Sequence, residues 1–176
     1  EQYDDEGRFL RADFGDISVV SVYHPSGTSG DERQDFKMEW LDFFRNYVNE
    51  LRKKRPQLII SGDYNICHEA IDIHDPVRNA KSSGFLPEER QWFTDFLNDG
   101  YTDSFRLLNK EPNNYSWWSY RAKDFRVSNR GLRLDHLWTS PGLTPSVIKG
   151  SARILDTVRE WERPSDHAPV MMELDV

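Results

Sequence analysis

The chain has 176 residues, a formal net charge of −7, 37% hydrophobic residues and 13% aromatic ones. That is enough for one domain with a sizeable core, and too apolar for a disordered polymer. The acidic balance argues against wholesale attraction to nucleic acid, no stretch reaches the apolar length of a membrane span, and a single cysteine, Cys67, excludes an internal disulfide and fits a reducing, intracellular setting.

In chain order, the polar turn Glu1-Gln2-Tyr3-Asp4-Asp5-Glu6-Gly7 runs directly into a strand, the pattern of the middle of a hairpin. Arg8 to Phe14 and Ile17 to Tyr23 are predicted strands around Gly15-Asp16, since apolar residues alternate or cluster between turn signals. His24-Pro25-Ser26-Gly27 follows as a loop with phosphate-binding potential. Asp31 to about Lys54 is a predicted helix, with Phe36, Trp40, Phe43, Phe44, Tyr47 and Leu51 at steps of three and four and Pro56 as its stop. Leu58 to Ser61 is a predicted buried strand. Pro87 to about Asn98 is a second helix, with proline and two glutamates in its first turn and Gly100 beyond its end. Tyr115 to Tyr120, Leu132 to Thr139, Ser151 to Val158 and Ala168 to Val176 complete the strands. Two helices among many strands predict an α/β domain with sheet packed on sheet and helices outside.

Two acid-containing segments stand out. Ser61-Gly62-Asp63-Tyr64-Asn65 follows an apolar run, and Pro164-Ser165-Asp166-His167 precedes another. A carboxylate at a buried strand end is unfavourable unless hydrated, paired or metal-bound, so two of them suggest one site assembled from distant parts of the chain. Asp63 and Asn65 lie two apart and can face the same side to align a water and hold a phosphate oxygen; an Asx turn is the competing reading. Asp166 and His167 serve one site only if the backbone turns between them, and otherwise are a loop histidine and a capping aspartate. Asp135, within Leu134-Asp135-His136, needs a partner: His167, whose protonated form it would favour, or a nearby arginine. A tyrosine placed like Tyr23 is most often packing. Cys67, His68, His74 and Asp75 lack the spacing of a zinc site. Arg121, Lys123, Arg126, Arg130 and Arg133, interleaved with Trp117, Trp118, Tyr120 and Phe125, form either a phosphate-gripping cluster or a solvated loop.

Taken together, the segments Val22-Tyr23-His24-Pro25-Ser26-Gly27, Ser61-Gly62-Asp63-Tyr64-Asn65, Gly84-Phe85-Leu86-Pro87-Glu88-Glu89-Arg90, Ser116-Trp117-Trp118-Ser119-Tyr120-Arg121, Asn129-Arg130-Gly131-Leu132-Arg133-Leu134-Asp135 and Ser165-Asp166-His167-Ala168-Pro169-Val170 resemble the exonuclease III family of abasic-site endonucleases. That family lies within the endonuclease–exonuclease–phosphatase superfamily. The resemblance implies a four-layer α/β sandwich and hydrolysis of DNA backbone phosphates with magnesium or manganese. It implies that Asp63 orients or deprotonates the attacking water, that Asn65 positions water and phosphate, and that His167, paired with Asp135, neutralises the phosphoryl oxygen. Tyr23 becomes a phosphate-side donor. Asp166, with Asp63, Asn65 and His167, becomes part of the metal site. Trp117 and Leu134 would line the pocket for a flipped-out abasic sugar, Asn79 would touch a phosphate, and Arg121 and Lys123 would lie along the DNA backbone.

The implied partner is double-stranded DNA with abasic sites or 3′ ends, with no membrane, for a monomer in the bacterial cytoplasm at the nucleoid. Family members begin with further strands carrying an asparagine and a metal-binding glutamate. The resemblance therefore implies that residues 1–176 are the carboxy-terminal two-thirds of one domain, N-terminally incomplete and impaired in turnover on their own. Another superfamily phosphodiesterase or phosphatase, or an inactive DNA-binding module, are the alternatives.

Overall fold

The structure, a computed structural model, describes all residues except Glu1, Gln2, Asp4, Ala122, Lys123, Phe125, Arg126 and Arg163. Strands β1 (Phe9–Phe14) and β2 (Ile17–Tyr23) form the expected hairpin, and helix α1 (Asp31–Lys54) crosses to β3 (Gln57–Asp63). Helix α2 (Pro87–Asn98) leads to β4 (Thr102–Asp103), then β5 (Trp117–Trp118), β6 (Gly131–Leu132), β7 (Asp135–Thr139), β8 (Arg153–Ile154) and β9 (Val170–Met171). The main sheet has the order β1-β2-β3-β7-β4, and β5–β6 and β8–β9 are separate two-stranded pairs. β2 and β3 run parallel, as the α1 crossover requires, and β7 returns antiparallel to β3. The arrangement is mixed α/β, and among the described residues no helix is long and apolar enough to cross a membrane.

One face of the main sheet is the core. Trp40, Leu41, Phe44, Val48 and Leu51 of α1 and Trp92, Phe93 and Phe96 of α2 pack onto Val20, Val22, Leu58, Ile60 and Trp138. The expected helical stripe is therefore rotated. Phe43 and Tyr47 face outward, where Tyr3 meets Phe43 at 4.6 Å and Phe9 meets Tyr47 at 5.1 Å between ring centroids. The opposite face holds half-buried Val19, Ile59 and Leu137, with Leu10 70% and Phe14 65% exposed on the edge strand.

Four expected strands are shorter or divided, the one expected over Tyr115–Tyr120 keeping only the two residues of β5. Leu132–Thr139 breaks at Arg133-Leu134, so that β6 pairs with β5 while β7 joins the main sheet. The cause is a residue distant in the chain: Ser116 Oγ accepts hydrogen bonds from the backbone N–H groups of both Leu134 and Asp135, at 3.0 and 2.9 Å, which replaces the ladder there. Arg133 is turned inward, its Nε and Nη2 donating to Asp72 Oδ1 and Asp103 Oδ2 at 2.7 Å each. The strand expected over Ser151–Val158 shortens to β8 and continues as a 3₁₀ turn, Asp156–Glu160, and the last expected strand shortens to β9.

Candidate active site

Asp63 closes β3 directly opposite Asp135 on β7. Side chains so placed stand about 5 Å apart at Cβ, so the register alone sets two carboxylates side by side. Gly62 makes this ending possible: it has φ +149, and a Cβ there would stand 1.8 Å from the Val22 carbonyl oxygen of the adjacent parallel strand. The chain then turns. Asn65 adopts the left-handed region, φ +50, and donates its backbone N–H to Asp63 Oδ1 at 2.8 Å. Its amide nitrogen donates to the His24 carbonyl at 2.9 Å and to Asp63 Oδ2 at 3.2 Å. Both neighbours are acceptors, which fixes the amide orientation and turns Oδ1 the other way. The Asx turn and the functional pair thus coexist in one motif. Burial foremost, and then the Asp135 charge, push the Asp63 carboxyl up to about 6.

At the other end of the chain, Ser165 Oγ accepts the His167 N–H at 3.1 Å and bends the backbone. His167 bridges to Trp117 as an antiparallel pair, and the Trp118 N–H donates to the Asp166 carbonyl at 2.9 Å. This turn lets consecutive residues serve one place. Asp166 Oδ2 accepts the Trp117 indole N–H at 3.1 Å. His167 Nδ1 lies 2.8 Å from Asp135 Oδ2, and among the described residues no arginine pairs with Asp135, Arg133 being engaged by Asp72 and Asp103. Burial pulls the His167 imidazole down, but the Asp135 hydrogen bond and the charges of Asp135, Asp63 and Asp166 outweigh it and hold the ring above its ordinary range. Nδ1–H then donates to Asp135, leaving Nε2–H as a cationic donor.

Tyr23, Asp63, Asn65, Trp117, Asp166 and His167 line a single cleft of about 320 Å³. Leu134 and Leu132 form its apolar wall, and Ser26, Thr28, Ser83 and Gly84 edge it. Tyr23 is half exposed, with the Arg8 guanidinium 4.9 Å over its ring. Asn79 sits elsewhere: it donates to the carbonyls of His74 and Asp75 at 3.0 Å each and lines a neighbouring basin with Arg78 and Arg130. Arg121 is exposed on the turn after β5. Lys123, with Phe125 and Arg126, lies outside the described residues. Cys67 is buried against Ile73, Phe85 and Leu134, and burial pushes its thiol far up, away from the thiolate that a metal requires.

Of the cleft-edge residues, Ser26 and Gly84 fall within segments the sequence marked, whereas Thr28 and Ser83 do not. Nor did sequence reasoning find the role of the His24 backbone, which donates to the Asp63 carbonyl at 2.9 Å as well as holding Asn65. The position of Ser83 directly before the Gly84–Arg90 segment was the available signal.

Two carboxylates and an amide oxygen lining one cleft are the donor chemistry of a hard divalent cation. Among the described residues no cluster of three or more His, Cys, Asp or Glu side chains is arranged to hold a metal. That partial set suits magnesium, which keeps several waters and takes one or two carboxylates together with substrate phosphate. With Nδ1 facing Asp135, His167 presents Nε2 to the cleft, and the raised proton affinity of the ring favours a donor to phosphate there over a ligand to a cation.

Residues 1–167 match the Endonuclease/Exonuclease/phosphatase family. An exodeoxyribonuclease of Bacillus subtilis is 36% identical over 177 aligned positions, which cover 100% of this chain and 67% of that protein. The DNA repair nuclease APEX1 of Danio rerio is 37% identical, with 100% of this chain and 54% of that protein covered. The structure of an AP endonuclease from Archaeoglobus fulgidus superposes with a TM-score of 0.91 at 27% identity, covering 100% of this chain and 68% of that one. The chain thus spans between about half and two-thirds of the length of these relatives.

Proposed function

The chain belongs to the endonuclease/exonuclease/phosphatase family, among the abasic-site endonucleases of exonuclease III type, and on that premise we propose that its cleft hydrolyses phosphodiesters of double-stranded DNA at abasic sites and 3′ ends. The observation that carries this reading is the convergence of Asp63, Asn65, Asp166 and His167 in one cleft that Trp117 and Leu134 also line.

In the proposed reaction Asp63 accepts the proton of a water aligned by Asn65. A carboxyl near 6 is ionised at neutral pH and remains a competent base. His167, charged through Asp135, donates from Nε2 to a non-bridging phosphoryl oxygen as negative charge develops there. Tyr23 supplies a hydroxyl at the rim. A magnesium or manganese ion held by Asp63, Asn65 and Asp166 would add Lewis-acid neutralisation of the phosphate. Trp117 and Leu134 would offer an apolar surface to a flipped-out sugar without its base. Arg121, and the basin with Asn79, Arg78 and Arg130, would meet flanking phosphates and make binding salt-dependent.

The finer architecture we propose is the four-layer sandwich, with a second sheet over the face that carries Val19, Ile59, Leu137, Leu10 and Phe14. The proposal also includes a monomer acting at the nucleoid in the bacterial cytoplasm. The test is incision of a duplex containing one abasic site by the full-length protein with magnesium, against an intact duplex and a phospholipid. Asp63→Asn and His167→Ala are expected to keep duplex binding and lose cleavage by about 10²–10⁴-fold. Near-parental rates in both variants refute the assigned roles, and hydrolysis of the lipid alone refutes the substrate.

A further inference from the structure

The segment Gly84-Phe85-Leu86-Pro87-Glu88-Glu89-Arg90 places only Gly84 at the cleft, and its most buried acid points away from solvent altogether. Glu89, in the first turn of α2, is 0% exposed. Its Oε2 accepts the backbone N–H groups of Gly84 and Leu86 at 2.7 and 2.9 Å, which folds the loop onto the helix start. Its Oε1 accepts Lys37 Nζ at 2.5 Å and Gln34 Nε2 at 3.1 Å. Lys37 lies on the core side of α1, also 0% exposed, and its second bond goes to the Asn65 carbonyl at 2.9 Å.

A buried ion pair is a weak device for stability, since apolar residues of similar volume often serve as well. What an apolar pair does not supply is a donor beneath the Asn65 carbonyl. That carbonyl needs one because Asn65 is a non-glycine residue at φ +50, a conformation that persists only where its surroundings over-determine it. The surroundings do so from three sides. Lys37 holds the carbonyl, the His24 carbonyl holds the amide nitrogen, and Gly84 passes so close that a Cβ there would stand 3.2 Å from the Asn65 oxygen.

We propose that Lys37, backed by Glu89, is a positioning residue that locks Asn65 in its left-handed turn and so sets the Asp63–Asn65 pair for water and phosphate. It explains why an acid on α2 and a lysine on α1 carry charge into the core: the pair ties two helices and one loop to a single backbone oxygen at the cleft. The catalytic consequence rests on the nuclease reading above, whereas the geometric claim does not.

The test uses Lys37→Met/Glu89→Gln, which removes both charges at similar volume, and Lys37→Arg, which keeps a long cationic donor. Where the first pair does not fold, Lys37→Gln/Glu89→Gln takes its place, preserving a buried hydrogen bond with a side chain too short for the Asn65 carbonyl. In full-length protein with parental near-UV circular dichroism, the double variant is expected to lose kcat on an abasic duplex by about 10–100-fold, with KM changed less than about threefold. The Asn65 backbone amide is expected to exchange with deuterium at least about tenfold faster relative to the core amide of Ile60. Lys37→Arg is expected to recover kcat to within about fivefold of the parent. A double variant that melts earlier yet keeps the parental kcat and Asn65 exchange overturns the proposal and leaves the pair a purely structural role. Should the parent cut no abasic duplex, the nuclease reading alone has failed, and the exchange of Asn65 still decides whether Lys37 positions it.

Discussion

Asp63 sits where the fold favours a neutral side chain and the proposed chemistry needs a charged one, and Asp63→Asn separates the two demands. Burial and the facing Asp135 raise its carboxyl from the ordinary 3.8 to about 6. A difference of roughly two pH units corresponds to about 3 kcal/mol. The native state binds this proton more tightly than the unfolded chain. The contribution is therefore fully present below about pH 4, falls as pH rises from 4 to 6, and is absent at 7, where the ionised native state carries the whole penalty.

Asparagine is neutral at every pH and keeps an oxygen for the Asn65 N–H, now 2.8 Å from Asp63 Oδ1. It loses the longer bond from the Asn65 amide at 3.2 Å, worth about 1 kcal/mol. The net expectation at pH 7 is stabilisation by about 1–2 kcal/mol, or a Tm higher by roughly 2–8 °C, in a variant that no longer cleaves. The assay is thermal unfolding in chelator, because a bound cation would favour the carboxylate, at pH 4.5 and 7.5. No gain at pH 7.5, or an equal gain at both values, refutes the argument that burial and Asp135 burden the Asp63 charge.

Asp135→Asn is expected to lower the His167 pKa and, by removing a facing charge, the Asp63 pKa as well, both read from NMR titrations of the metal-free protein. The His167 contribution to stability is full below about 6.5 and lost as pH rises through its raised folded value, so the variant is destabilised mainly on the acidic side of that range. Arg133→Met leaves Asp103 without its guanidinium and Asp72 with Arg106 alone, and is expected to cost about 3–5 kcal/mol in urea unfolding at pH 7. Burial alone would raise Asp72, but Arg133 and Arg106 hold it at about 2, so in the parent this contribution is present above about pH 4 and lost between 4 and 2. Gly62→Ala drives a methyl to within 1.8 Å of the Val22 oxygen and is expected to cost at least about 3 kcal/mol, measured by the urea midpoint or by loss of soluble protein. A loss below about 1 kcal/mol contradicts the close approach of β2 and β3.

The long, locally encoded elements were legible. The α1 and α2 patterns, the β1–β2 hairpin and the β3 run each carry their own periodicity, stop signals or turn residues, and their bounds agree with the structure to within a few residues. Where pairing depends on distant neighbours the sequence misled. Leu132–Thr139 alternates like one strand, yet Ser116 and the two aspartates Asp72 and Asp103 bend it into two, and no local pattern announces partners 18 or more positions away.

The sequence by itself marked the candidate residues: acids, amide and imidazole at strand ends, in motifs whose order resembles one nuclease family. Only the tertiary structure decided how they face one another. Strand register puts Asp63 opposite Asp135, a serine turn brings Asp166 and His167 to the same cleft, and a buried lysine reaches the Asn65 carbonyl from another helix. The physical reason is that side-chain identity is a local property, whereas register, burial and the resulting shifts in proton affinity arise from neighbours remote in the chain.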